Sequence, residues 1–203
     1  MNYILYAPEY IITLLVILIL AIYIKSFGLF LTSVIIGILL LLFFRGWNKP
    51  SNIKIKDNYL YSPCNGIVKK VEDLGDRWRI IVFLNVHNIH VQYSPCKCIV
   101  KEITHHKGTF HPAFLLEKSI HNERTEYILY NSVFGYIGVV QIAGQVARRI
   151  VPLVENGNTL DVLDPLGLIK LGSRCDIIVT KNINELRVKP GSSINIGDVI
   201  AIK

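Results

Sequence analysis

The run LGLIKLGSRCDIIVT, Leu166 to Thr180, holds two short apolar segments on either side of a Gly-Ser pair. LGLIKL and CDIIVT are too short for ordinary helices and rich in Leu, Ile and Val, so both read as β-strands. Glycine weakens a strand and marks a bend or a close approach of backbone, so Gly172 inside this pattern points to a local task. Ser173 adds a hydroxyl. With a base nearby it can attack the carbonyl of Gly172, move the chain onto an ester and, by elimination, leave a pyruvoyl group on the new amino terminus. A Gly-Ser pair also makes a plain turn, and this stretch alone leaves both readings open.

Outward from this stretch the same texture continues. GIVKKVEDL (66–74), RIIVFL (79–84), IHVQY (89–93), CIVKEI (98–103), EYILY (126–130), GYIGVVQIA (135–143) and DVIAIK (198–203) are strand-like runs separated by Gly, Pro, Asn and Asp. Only residues 113–117 suggest a short helical turn. The expected fold is therefore an all-β domain, a sandwich or barrel-sandwich hybrid, over residues 51–203. The closing VKPGSSINIGDVIAIK resembles the hairpin of lipoyl and biotinyl carriers, without the lysine those carriers place at its tip. Gly191-Ser192 reads as a turn.

Residues 1–50 are different. IITLLVILILAIYI and LFLTSVIIGILLLLFF flank a turn at Lys25, Ser26 and Gly28, and with flanking residues added they predict a two-helix transmembrane hairpin. Arg45, Lys49, Lys54 and Lys56 follow the second run, which predicts a membrane protein whose β-domain is on the cytoplasmic side. The chain is 51% hydrophobic with a net charge of +7. That balance suits an anionic membrane surface; no basic run interleaved with aromatics supports nucleic acid. Cys64, Cys96, Cys98 and Cys175 lack paired zinc spacing, and with His105, His106 and His111 they match no standard ligand set, so no metal is expected.

Candidate acid-base residues stand in VHNIHVQYSP, where His87 and His90, three apart, point to opposite faces of a strand. Imidazole titrates near neutrality and can take and return the Ser173 proton. His87 is held as a second proton-handling or substrate-binding candidate. Glu123, Arg124 and Arg148 are candidates for an anionic substrate, arginine being suited to bidentate capture of carboxylate or phosphate.

Six blocks in this order resemble the small bacterial and archaeal-type phosphatidylserine decarboxylases. LLFFRGWNKP (41–50) is similar to that family's FFRDPER, SPCNGIV (62–68) to SPADGRV, and VHNIHVQYSP (86–95) to FDVHVNRAP. HHKGTFHPAF with SIHNERTEY (105–127) is similar to GKFFNASLDKASEHNERN. GVVQIAGQVARRIVPLV (138–154) is similar to VVQIAGLVARRIV, and GLIKLGSRCDIIV to GLIRFGSRVDVYL. The resemblance implies a self-processing zymogen cleaved between Gly172 and Ser173, a covalent pyruvoyl cofactor from Ser173, and decarboxylation of phosphatidylserine to phosphatidylethanolamine. It implies His90 as the base, the two cleaved chains remaining associated, and is compatible with a homo-oligomer. In the family an aspartate orients the histidine; here Asn65 stands in its place, an amide that brings no charge to an imidazolium. A second reading is therefore an unprocessed membrane-bound pseudoenzyme that binds phospholipid head groups.

Overall fold

Short runs of alternating and β-branched residues pair into antiparallel sheets in the computed structural model, which describes residues 2–50, 54–145, 149–170 and 173–203. The strands are β1 (Tyr59–Tyr61), β2 (Gly66–Asp73), β3 (Arg77–Leu84), β4 (Val91–Tyr93), β5 (Cys98–His106), β6 (Arg124–Asn131) and β7 (Gly135–Ala143). They continue with β8 (Ile150–Pro152), β9 (Thr159–Leu160), β10 (Pro165–Ile169), β11 (Ser173–Thr180), β12 (Glu185–Leu186), β13 (Ser193–Ile194) and β14 (Val199–Ile202). The largest sheet has eight strands in the order β13-β2-β3-β11-β7-β6-β5-β9, and two three-stranded sheets run β4-β10-β8 and β1-β14-β12.

Strand β11 lies inside the large sheet, paired along its length with β3 (Ser173 opposite Leu84, Thr180 opposite Arg77) and with β7 (Ser173 opposite Ala143, Ile178 opposite Gly138). Its residues 173–177 are all buried, as expected of a strand covered on both faces. On one face Cys175, Ile177 and Val179 join Val68, Ile80, Val82, Tyr127, Leu129 and Val139 in the main core. Each such apolar side chain contributes about 1.5–3 kcal/mol by leaving water.

The chain divides into two units, Met1–Asn48 and Lys49–Lys203. In the first, helices α1 (Pro8–Tyr23) and α2 (Phe27–Phe43) form a hairpin. Lys25 turns the chain at φ 53°, Ser26 Oγ accepts from the Leu29 N–H at 3.4 Å, and the Tyr3 N–H donates to the Phe44 carbonyl at 2.8 Å at the open end. This corrects the transmembrane expectation: no helix among the described residues is long and apolar enough to cross a membrane. The helices have 16 and 17 residues, about 24–26 Å at 1.5 Å per residue, against a hydrocarbon core of about 30 Å. The flanking residues do not lengthen them. Ala7 leaves the helical region at φ −131°, Pro8 occupies the first turn, and Ile4–Tyr6 form a separate 3-10 turn.

In the second unit a third helix, α3 (Leu116–Ser119), close to the expected turn at 113–117, packs on the face of the large sheet opposite the main core.

Candidate active site

The candidate residues gather at one end of the large sheet, where β3 and β7 finish and β2, β6 and β11 begin. Ser173, the first residue of β11, is fully buried, and its Oγ has no hydrogen-bond partner. Above it lies the β4-β10-β8 sheet. Gly167 of β10 stands opposite Gln92 of β4, and a side chain at Gly167 would overlap the Tyr127 hydroxyl and the Gln141 carboxamide, so β10 rests directly on β6 and β7. Two residues on, the Ile169 N–H donates to the His90 carbonyl at 3.0 Å, and Ile169 clusters with Ala143, the neighbour of Ser173. This register brings the His90 backbone to the same end of the sheet as the Ala143–Ser173 row.

His90 is fully buried, and its Nδ1 lies 2.8 Å from the Asn88 carbonyl oxygen. A carbonyl only accepts, so the neutral ring carries its proton on Nδ1 and its lone pair on Nε2. Gln92, two residues along and hence on the same side of the strand, accepts from Gln141 Nε2, while the Tyr127 hydroxyl donates to Gln141 Oε1 at 2.6 Å. Burial pushes the Tyr127 hydroxyl well above its usual range, with the neighbouring Cys175 adding to the shift, so it stays a donor.

Asn65 stands just before β2 at the same end. Its Nδ2 reaches Asn195 Oδ1 at 3.4 Å and its Oδ1 is buried without a hydrogen bond, so its carbonyl oxygen takes nothing from His90. His87 is exposed in the tight turn after β3, which the Asn85 and Asn88 hydrogen bonds close. Glu123 lies 3.7 Å from His105 Nε2, while Arg124 Nε bonds Glu126 Oε1 at 2.8 Å; the two are not paired with each other. Gly172 and Arg148 lie outside the described residues. All four cysteines are buried and unbridged; a hydrogen bond with Cys64, then burial, raises the Cys175 thiol. Among the described residues no three His, Cys, Asp or Glu side chains cluster as a metal site would require.

A match to the family described as phosphatidylserine decarboxylase runs over residues 39–202, which takes in the end of the hairpin and all but the last residue of the β-rich unit. The chain belongs to the phosphatidylserine decarboxylase family. A putative archaetidylserine decarboxylase proenzyme of Methanococcoides burtonii is 35% identical over 175 residues, 86% of this chain and 80% of that protein. Phosphatidylserine decarboxylase proenzymes of Pelagibacter ubique and Streptomyces griseus are 36% and 37% identical, over 89% and 71% of this chain and 87% and 66% of theirs. These are enzymes named as proenzymes.

Within this phosphatidylserine decarboxylase family member, three features of the site were not read from the sequence. The carbonyl that orients His90 is backbone and has no side-chain signature. Gln92 and Gln141 occupy core-facing strand positions, where a polar residue is itself a signal because it must find a partner. Arg174 is the third: 2% exposed, it donates to both oxygens of Asp176 (Nε to Oδ1 2.6 Å, Nη2 to Oδ2 2.7 Å) and, through Nη1, to Ser119 Oγ and the Leu116 carbonyl of α3. Arg79 of β3 adds a 2.9 Å bond to Asp176. The second residue of β11 is thereby locked to β3 and α3. Asn122, fully buried, latches the 105–122 segment by donating from Nδ2 to the carbonyls of His111 (2.7 Å) and Ala143 (2.8 Å).

Proposed function

We propose that this chain cleaves itself between Gly172 and Ser173 and, as the two-chain product, decarboxylates the serine head group of a phospholipid, phosphatidylserine giving phosphatidylethanolamine. The observation that carries this reading is the Ser173 hydroxyl, buried and without a hydrogen bond at the end of the sheet that the His90 segment covers, while the Asn88 carbonyl 2.8 Å from His90 Nδ1 makes Nε2 the acceptor nitrogen of the ring. Ser173 Oγ attacks the carbonyl of Gly172 while His90 takes its proton; the amide C–N bond breaks to give an ester, and the nitrogen receives a proton. Loss of the Ser173 Cα proton expels the Gly172 carboxylate, and water then releases ammonia, leaving a pyruvoyl group. Position 173 fits such a group: it is closed from water, and its oxygen is the only buried hydroxyl oxygen without a hydrogen bond among the described residues. The carbonyl so formed supplies an electron sink for the charge left as carbon dioxide departs.

His90 then holds the proton that returns to the substrate carbon, and His87, Glu123, Arg124 and Arg148 bind the head group. Arg124 would exchange Glu126 for a phosphate or carboxylate oxygen. The relatives' names include both phosphatidylserine and archaetidylserine, which share that head. The apolar side chains of the hairpin, Ile12, Val16, Ile19 and Phe27 among them, are more than half exposed, which supports insertion into one leaflet of a membrane; the reading puts the β-rich unit on the cytoplasmic side because of the basic residues Arg45, Lys49, Lys54 and Lys56. The test is a denaturing gel of purified protein beside Ser173→Ala. The expected result is a large and a small chain for the native protein, one intact chain for the variant, and carbon dioxide release from serine lipid only by the former. A native protein that stays intact favours the second reading, a head-group-binding pseudoenzyme, for which the uncharged Asn65 speaks.

A further inference from the structure

At the end of the sheet where β11 begins, several apolar side chains of the connecting segments face water. Val86, just past β3, is 65% exposed and Phe114 58% exposed, and Leu115 and Ile120 on either side of α3 are exposed as well. Single exposed hydrophobics are ordinary, but a group of them on one loop is not. Nor is this a loose loop. The Phe114 ring meets the Phe83 ring edge-on at 6.3 Å, Arg174 holds Leu116 and Ser119, and Asn122 ties the far end to Ala143. A firmly held loop thus presents apolar tips to solvent at the end of the sheet where β11 begins, on the face opposite the main core. The exposed charged residues of the 107–120 segment are Lys107, Glu117 and Lys118, and Lys69 Nζ sits 5.5 Å from the Phe83 ring on which Phe114 packs, so positive charge prevails here. Aromatic and aliphatic tips on a segment with exposed lysines match the anionic face of a bilayer, where the tips enter the acyl boundary and the ammonium groups meet phosphates.

We propose that the 114–120 loop is a bilayer-docking surface, with Phe114 and Leu115 entering an anionic leaflet and seating the Ser173 end of the sheet against it. Its benefit to turnover rests on the lipid-substrate reading above; the docking itself does not. The test uses full-length protein with a nitroxide on Phe114→Cys, the native cysteines being buried, and vesicles of phosphatidylcholine with or without phosphatidylglycerol. Oxygen should gain access to the label, and a water-soluble nickel chelate lose it, with anionic vesicles, and less so when Lys118→Glu is added. A label equally open to the chelate with and without vesicles overturns the proposal. So does a label that becomes protected by raising protein concentration alone, which would assign the surface to a second copy of the chain. In a second arm, Phe114→Asp with Leu115→Asp should lower kcat/KM on vesicle-borne serine lipid by about tenfold. It should leave self-cleavage and turnover of a short-chain, monomeric serine lipid within about twofold. Equal losses on both substrates overturn it. Absence of any turnover by the native protein would count against the proposed activity and leave the nitroxide result to decide the docking.

Discussion

Because a carbonyl oxygen can only accept, the Asn88–His90 hydrogen bond sets the imidazole tautomer whatever stands at position 65. Asn65→Asp is therefore expected to change the rate of self-cleavage by less than about threefold, and His90→Gln to slow it by at least about a hundredfold. Cleavage time courses measure both, and a tenfold or greater gain for Asn65→Asp would show that a charge at 65 does reach the ring. Tyr127 carries a prediction about pH. Its hydroxyl is raised above the usual value of 10.0, mainly by burial, so the unfolded chain releases this proton at lower pH than the folded one. Its contribution to stability is fully present below about pH 10 and is lost as pH rises above it. Denaturant unfolding of Tyr127→Phe should fall less steeply with pH on the alkaline side than that of the native chain; parallel alkaline limbs would contradict this.

Strand β11 was legible as a strand, because CDIIVT has both the length and the residues. Its place between β3 and β7 was not, since those partners lie far away in sequence and antiparallel pairing leaves no local mark. The same holds for the site. Ser173 and His90 could be singled out from residue type and order, but not the stacking of β10 on β7, which depends on Gly167 lacking a side chain. Gly167→Ala should cost about 1–3 kcal/mol by forcing the Tyr127–Gln141 pair apart, read as a lower melting temperature. The proposed cleavage would take the covalent tether from the beginning of β11 and leave Arg174 to hold it. Arg174→Leu leaves the buried Asp176 with Arg79 as its remaining ion-pair partner and should cost about 3–5 kcal/mol. In a chain that has cleaved, native gel filtration should show the small chain lost more readily from this variant; unchanged retention would contradict the anchor.

The two units obey different rules. The β-rich unit buries its own core, whereas the hairpin buries few of its apolar side chains, Ala21 and Phe43 among them. The hydropathy of the hairpin and its turn at Lys25 were plain in the sequence; the start of α1 was not, because the backbone at Ala7 and the proline at position 8 set it without a charged residue to mark the boundary. Removing residues 1–48 should leave self-cleavage intact while reducing flotation with anionic vesicles, the 114–120 loop alone giving weaker attachment. The most direct measurement is the intact mass, with amino-terminal sequencing, of full-length protein purified without chaotropes. The expected result is two chains, the smaller spanning residues 173–203, refractory to sequencing and about 17 Da lighter than a peptide beginning with serine, as conversion of an amino-terminal serine to a ketone with loss of ammonia requires. A single chain of 203 residues, or a small chain that begins with an ordinary serine, would contradict it.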